Sequence, residues 1–154
     1  MNNFIRCLNN GKFYENECLK YINYKSYTQS IGCCKEWDIE IEKHNNNKVK
    51  IEVKSDRHIN KTGNICIEYM CNDEPSGITS STSYYWIIFE VYNENDYNMY
   101  VVKSKIIKQM IKDKLFKRIV KGGDGYRAKL YLFDKSLFSQ YIRVKKENNN
   151  IIIL

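Results

Sequence analysis

The clearest pattern in the chain is strict alternation over residues 37–54. Trp37, Ile39 and Ile41 fall on one side, and Asp38, Glu40 and Glu42 on the other. Successive side chains of a strand point to opposite faces, so this reads as a half-buried strand. His44-Asn45-Asn46-Asn47 follows and suits a turn, because Asn tolerates left-handed backbone angles. Alternation then resumes, with Val49, Ile51 and Val53 opposite Lys48, Lys50, Glu52 and Lys54. Two alternating runs across a short polar turn predict an antiparallel hairpin. A third strand, about Asn64 to Met70, is expected after the loop Ser55–Gly63 and would complete a meander.

In front of the hairpin, Glu15, Cys18, Leu19 and Ile22 recur at helical spacing and predict a helix over about Lys12–Tyr24. That phase places Glu15 over the apolar face and turns Glu17 elsewhere. A carboxylate on the buried side of a helix needs a partner or a role. Behind the hairpin, Asp73–Ser83 reads as a loop entering a short helix near Thr79–Tyr84. Strands at Trp86–Tyr92 and Tyr97–Val102 flank the polar turn Asn93–Asp96. Ser104 suits the N-cap of a helix running to about Val120, with Ile107, Met110, Ile111 and Leu115 as its stripe. Gly122-Gly123-Asp124-Gly125 would end it. A strand at Ala128–Phe133 and a short helix around Ser136–Tyr141 close the chain. No repeat or long linker interrupts the 154 residues, so a single domain over residues 1–154 is expected. Its class is α/β: a central mixed β-sheet flanked by helices, open where the hairpin presents its polar face.

Composition adds a partner class. With 43% hydrophobic and 14% aromatic residues, the chain is too apolar for intrinsic disorder. The net charge of +7 points to an anionic partner. Residues 1–75 balance 11 basic against 11 acidic side chains, whereas residues 76–154 hold 14 basic and 7 acidic. Between Lys103 and Lys121 eight basic residues face one acid, Asp113. Neutralising phosphates there would give salt-sensitive binding to nucleic acid; a solvated helix face is the plainer alternative. The six cysteines form no CxxC pair, and His44 and His58 stand alone, so buried free thiols are expected rather than zinc. No apolar run approaches the ~20 residues of a membrane span. The start Met-Asn-Asn-Phe-Ile-Arg shows no secretory signal, which predicts an intracellular location, cytoplasm or nucleus.

The candidate chemistry lies in Asp38 and Glu52-Val53-Lys54. Glu52 and Lys54 share one strand face, and Asp38 lies on the same face of the neighbouring strand. Converging carboxylates can hold a hard divalent cation, with the Val53 carbonyl as another oxygen donor. Lys54 would then orient the attacking water or offset charge on a phosphorane. Glu15 could complete the acidic cluster. A solvated cross-strand ion pair is the bland alternative.

This layout resembles the PD-(D/E)xK nuclease superfamily, in particular its phage, viral and Holliday-junction-resolvase-like members. The matching positions are Glu15 on the helix, Asp38 on the first hairpin strand, and Glu52 and Lys54 on the second. The run Lys61-Thr62-Gly63-Asn64-Ile65-Cys66-Ile67-Glu68 and then Ser76-Gly77-Ile78 are similar to segments that follow in phage-type members. Trp37 stands where the motif has proline. The resemblance covers about residues 12–92. It implies a restriction-endonuclease-like core and Mg²⁺-dependent hydrolysis of phosphodiester bonds in DNA, possible also with Mn²⁺. Asp38, Glu52, Val53 and Glu15 would hold the metal and Lys54 would assist catalysis. Glu68 would act as an auxiliary carboxylate, or else be an ordinary surface residue. Lys61, Asn64, Ser76, Lys105, Lys108 and Lys112 are the expected nucleic-acid contacts. An endoribonuclease on the same fold, or a nuclease-like module that binds without cutting, remain alternatives. Junction-cutting members act as symmetric dimers, so a homodimer belongs to the same expectation.

Overall fold

The computed structural model describes residues 3–32, 36–93 and 95–144, and among them the side chains of all but 3–10 and 124. The chain begins with helix α1 (Asn3–Leu19), then forms strands β1 (Ser26–Gln29), β2 (Ile39–Glu42) and β3 (Lys48–Asp56). The single-turn helix α2 (Ile59–Thr62) leads into β4 (Asn64–Cys71) and the two-residue β5 (Glu74–Pro75). Strands β6 (Tyr85–Asn93) and β7 (Asp96–Lys103) precede helix α3 (Ser104–Lys112). Strands β8 (Arg118–Gly122) and β9 (Ala128–Asp134), a 3-10 helix at Lys135–Tyr141 and β10 (Ile142–Val144) complete the order.

The protein is α/β, with a mixed six-stranded sheet in the order β1-β2-β3-β6-β7-β10 and a second sheet β5-β4-β9-β8. The predicted hairpin is present: β2 and β3 pair antiparallel with Ile39 opposite Ile51. Strand β3 then pairs parallel with β6, setting Glu52 beside Trp86. Parallel neighbours need a crossover, and here it carries α2, β4 and β5.

Alternation sorts the strands onto two apolar layers. Ile39, Ile41 and Ile51 point to one side of the large sheet and pack with Ile87, Phe89 and Met99 beneath Tyr14, Cys18 and Leu19 of α1. Trp86, Ile88, Tyr100 and Val102 point to the other side, joining Ile65 and Ile67 of β4, Phe133 of β9, and Ile107 and Met110 of α3. Fully burying each such side chain contributes ~2 kcal/mol. Glu52 belongs to the second side, because it alternates with Ile51.

Several sequence expectations are corrected. The first helix starts earlier than Lys12 and ends at Leu19 rather than Tyr24, although Ile22 is still buried. The strand at Asn64–Cys71 joins the second sheet, so the meander is β1-β2-β3. That second sheet also covers part of the side expected to be open. Thr79–Tyr84 is not helical: the Ser81 and Ser83 hydroxyls donate instead to the Glu36 carbonyl, at 3.1 and 3.3 Å, a competition for backbone partners that disfavours helix. The basic helix stops at Lys112, and Lys114 adopts a left-handed φ of 55°. Residues 118–122 are a strand, and Leu115 is exposed instead of lying in an apolar stripe. Ser104 is the first helical residue rather than the cap, and its hydroxyl donates to the Ser83 carbonyl. The Ser136–Tyr141 segment is 3-10 helix.

Candidate active site

Continuing the β2–β3 register by one residue sets Asp38 opposite Glu52. The Asp38 amide donates to the Ile51 carbonyl at 3.0 Å, and its carboxylate Oδ2 accepts from the Val53 amide at 2.7 Å. The side chain is thereby fixed at the strand end. At Val53 the observed contact is this N–H, while the side chain packs into the α1-side core.

Glu52 is only 6% exposed. Its Oε1 accepts from Lys54 Nζ at 2.8 Å. Burial and the neighbouring Asp38 and Glu68 charges raise its pKa against the pull of Lys54. For Lys54, burial opposes the charge, but Glu52, Asp38 and Glu68 outweigh it and hold the ammonium above its ordinary value. Three carboxylates thus act on one ammonium. Lys54 also stands 5.9 Å from the centre of the Trp86 ring. The Trp86 indole Nε1 is buried without a hydrogen-bond partner, an unsatisfied donor beneath this cluster.

Glu68 is positioned by a bulge in its own strand and by the loop that follows β5. A bulge between Glu68 and Met70 interrupts the β4–β9 ladder, and such bulges re-aim side chains. Ser76 Oγ donates to Glu68 Oε1 at 2.6 Å, and the Ile78 amide donates to the Glu68 carbonyl at 2.8 Å. Gly77, between them, has φ +52°, and a Cβ there would run into the Glu68 carbonyl. Only glycine fits so close an approach.

Glu15 arrives from the α1 side of the sheet, opposite to the side Glu52 faces. It is buried and paired with Lys12 at 2.8 Å; Lys12 also reaches the Ser30 carbonyl at 3.3 Å. Cys18 connects the two regions: burial raises its thiol pKa, and the Glu15 and Asp38 charges add to the effect. Glu17 turns to Tyr97, whose hydroxyl donates to it at 3.0 Å, and to Lys20.

The expected nucleic-acid contacts divide into separate places. Ser76 belongs to the carboxylate cluster through Glu68. Asn64 lies four residues up β4, ~13 Å away at ~3.3 Å per residue, where it accepts from Lys117 at 2.8 Å. Lys61 is exposed on α2 near that end, and Lys105, Lys108 and Lys112 are exposed on α3. The basic run is therefore split between α3, its exit loop and β8.

Among the described residues, no group of three His, Cys, Asp or Glu side chains could hold a metal ion as it stands. Each strand carboxylate has one oxygen engaged, Asp38 by the Val53 amide and Glu52 by Lys54. Of the cysteines, Cys18 is a buried free thiol, and Cys66 and Cys71 are half-buried free thiols; Cys7, Cys33 and Cys34 lie outside the described side chains. No described helix is long and apolar enough to cross a membrane.

Sequence reasoning did not single out the Ser76–Glu68 bond, Trp86 beneath Lys54, or Glu90. The last was visible as the lone acid in the apolar run Trp86–Val91. No protein-family model, curated protein or solved structure matches the chain.

Proposed function

We propose that the protein is a metal-dependent endonuclease acting on DNA, with a restriction-endonuclease-like core. One observation carries this reading: the buried Glu52 carboxylate, with Asp38 and Glu68 acting on it, shares a single ammonium. Three carboxylates against one ammonium, around the buried Glu52 in the middle of β3, would favour a divalent cation once a side chain shifts to open the site. The helix-then-hairpin order supports the same core.

In this reading Asp38 and Glu52 would hold Mg²⁺ or Mn²⁺, while Glu15, paired with Lys12 on the α1 side of the sheet, stays apart from the Glu52 face. Lys54 Nζ pairs with Glu52 Oε1 and would have to give way for a cation to be held. Its side chain, 45% exposed, sits on a flexible four-carbon stem that can swing off Glu52. It then faces the scissile phosphate, where an ammonium positions the attacking water and offsets the developing charge. The Val53 amide keeps Asp38 aimed, and Ser76 keeps Glu68 beside the pair. A divalent cation held by these carboxylates would supply a water of lowered pKa.

The test is cleavage of single-stranded, duplex, flapped and four-way-junction DNA, with an RNA strand alongside, in Mg²⁺ or Mn²⁺. Asp38→Ala and Lys54→Ala are expected to lose cleavage with unchanged circular dichroism. Variants that cut as well as the parent would refute the site. Cutting of RNA alone would transfer the proposal to an endoribonuclease.

A further inference from the structure

We infer that a cleft next to the carboxylates receives unpaired nucleotides, so that the strand presented to Glu52 and Lys54 is single. Its use for cleavage rests on the nuclease reading above; the binding itself does not. The cleft has a volume of about 570 Å³ and is lined by Lys43, Lys48, Lys50, Tyr84 and Tyr85, with Glu40 the one acid among its lining residues. That size encloses a small ligand rather than a double helix. Glu40 is tied to Lys48 at 3.3 Å, which leaves the lining with a net positive charge.

Lys48 and Lys50 stand on the face of β3 that also carries Glu52 and Lys54, because all four are separated by steps of two. A row of ammonium groups therefore leads along one strand to the buried carboxylate. Trp37, next to Asp38, holds Lys50 at 5.6 Å from its ring centre.

Tyr84 gives the cleft its preference. Its amide donates to the Lys50 carbonyl at 2.8 Å and its carbonyl accepts from the Ser104 amide at 2.9 Å. The ring sets an edge contact with Tyr85 at 4.8 Å and carries Lys103 at 5.6 Å from its centre. It is nevertheless 49% exposed. A half-open aromatic ring on a hydrogen-bonded stretch of backbone beside lysines matches the way unpaired bases are held, by stacking on a side chain while cations follow the phosphates. A duplex keeps its base faces stacked inside, so it would meet the lysines but give Tyr84 no partner.

Fluorescence anisotropy of a labelled oligothymidylate, with the full chain and no added metal, tests this directly. Tyr84→Ala should weaken binding about tenfold, the range of one base stack, while Tyr84→Phe should bind as the parent does. Replacing Lys48 and Lys50 together with Ala should flatten the salt dependence by about 1.4 in log–log slope. A matched duplex should bind more weakly and be indifferent to Tyr84→Ala. No measurable affinity for the oligothymidylate, parent-like affinity of Tyr84→Ala, or an equal loss for the duplex would overturn the inference. Glu52→Gln separates the two ideas. Parent-like binding without cleavage supports both, and parent-like binding with full cleavage upholds the cleft while removing the nuclease site.

Discussion

At the scale of single residues, two buried glutamates have opposite characters. Burial first, then Asp38 and Glu68, raise the Glu52 pKa. A raised pKa means that the protonated form suits the fold: this contribution is present below the ordinary carboxylate pKa of ~4.3 and is lost as pH rises through the raised value. A bound cation needs the deprotonated form. Mn²⁺ should therefore raise the melting temperature strongly at neutral pH, and the effect should fade on acidification before ordinary carboxylates titrate. Glu52→Gln should abolish most of it. An equal Mn²⁺ shift at every pH would speak against Glu52 as a ligand. Glu90, 0% exposed, is satisfied instead of frustrated. It accepts from Lys135 and the Tyr100 hydroxyl, each at 2.7 Å, and from Asn98 at 3.2 Å. Burial works against its charge, but these donors prevail and lower its pKa. Its stabilisation is thus present above the ordinary carboxylate range and disappears as pH falls through the lowered value. Tyr100→Phe should cost ~1.5–3 kcal/mol in urea unfolding at neutral pH, and less in acid.

At the scale of elements, the hairpin was readable because both of its strands alternate cleanly and an Asn-rich turn joins them. That pattern alone placed Asp38 on the same face of the neighbouring strand as Glu52 and Lys54, and the register that sets it opposite Glu52 came with the fold. The end of α3 was not readable: chains usually leave a helix through Gly in the left-handed region, whereas here Lys114 takes that conformation, so the lysine run looked like continuous helix. The strands β1, β8 and β10 are short, and β1 and β8 are largely exposed, leaving little apolar periodicity to detect. The placement of Glu68 depended on a bulge and on a non-local contact with Ser76, neither of which periodicity encodes. Gly77 is the hinge of that contact. Gly77→Ala should destabilise the protein by more than ~1 kcal/mol, since it adds both left-handed strain and a collision with the Glu68 backbone; chemical denaturation would measure it. A neutral result would mean that the loop is not pressed against β4.

For the whole molecule, the uneven charge resolves into three places rather than two halves. Carboxylates gather where the start of β2, the middle of β3 and β4 meet, a lysine and aromatic cleft adjoins them along β3, and a separate basic surface covers α3, Lys117 and β8. The sequence balance located the last of these but not the cleft, because Lys43, Lys48 and Lys50 lie in the charge-neutral front half. Folding lines Lys48 and Lys50 up along the β3 face that carries Glu52 and sets Tyr84 beside Lys50, an arrangement that a count along the chain does not contain. In the proposed reading, the cleft would hold an anionic strand and the neighbouring carboxylates would hold a divalent cation. The most direct test is the release of labelled product from single-stranded DNA in Mn²⁺, comparing the parent with Asp38→Ala and with the parent in chelator. Cleavage by the parent alone, abolished in both comparisons, is the predicted result; metal-independent cleavage, or undiminished cleavage by Asp38→Ala, would contradict it.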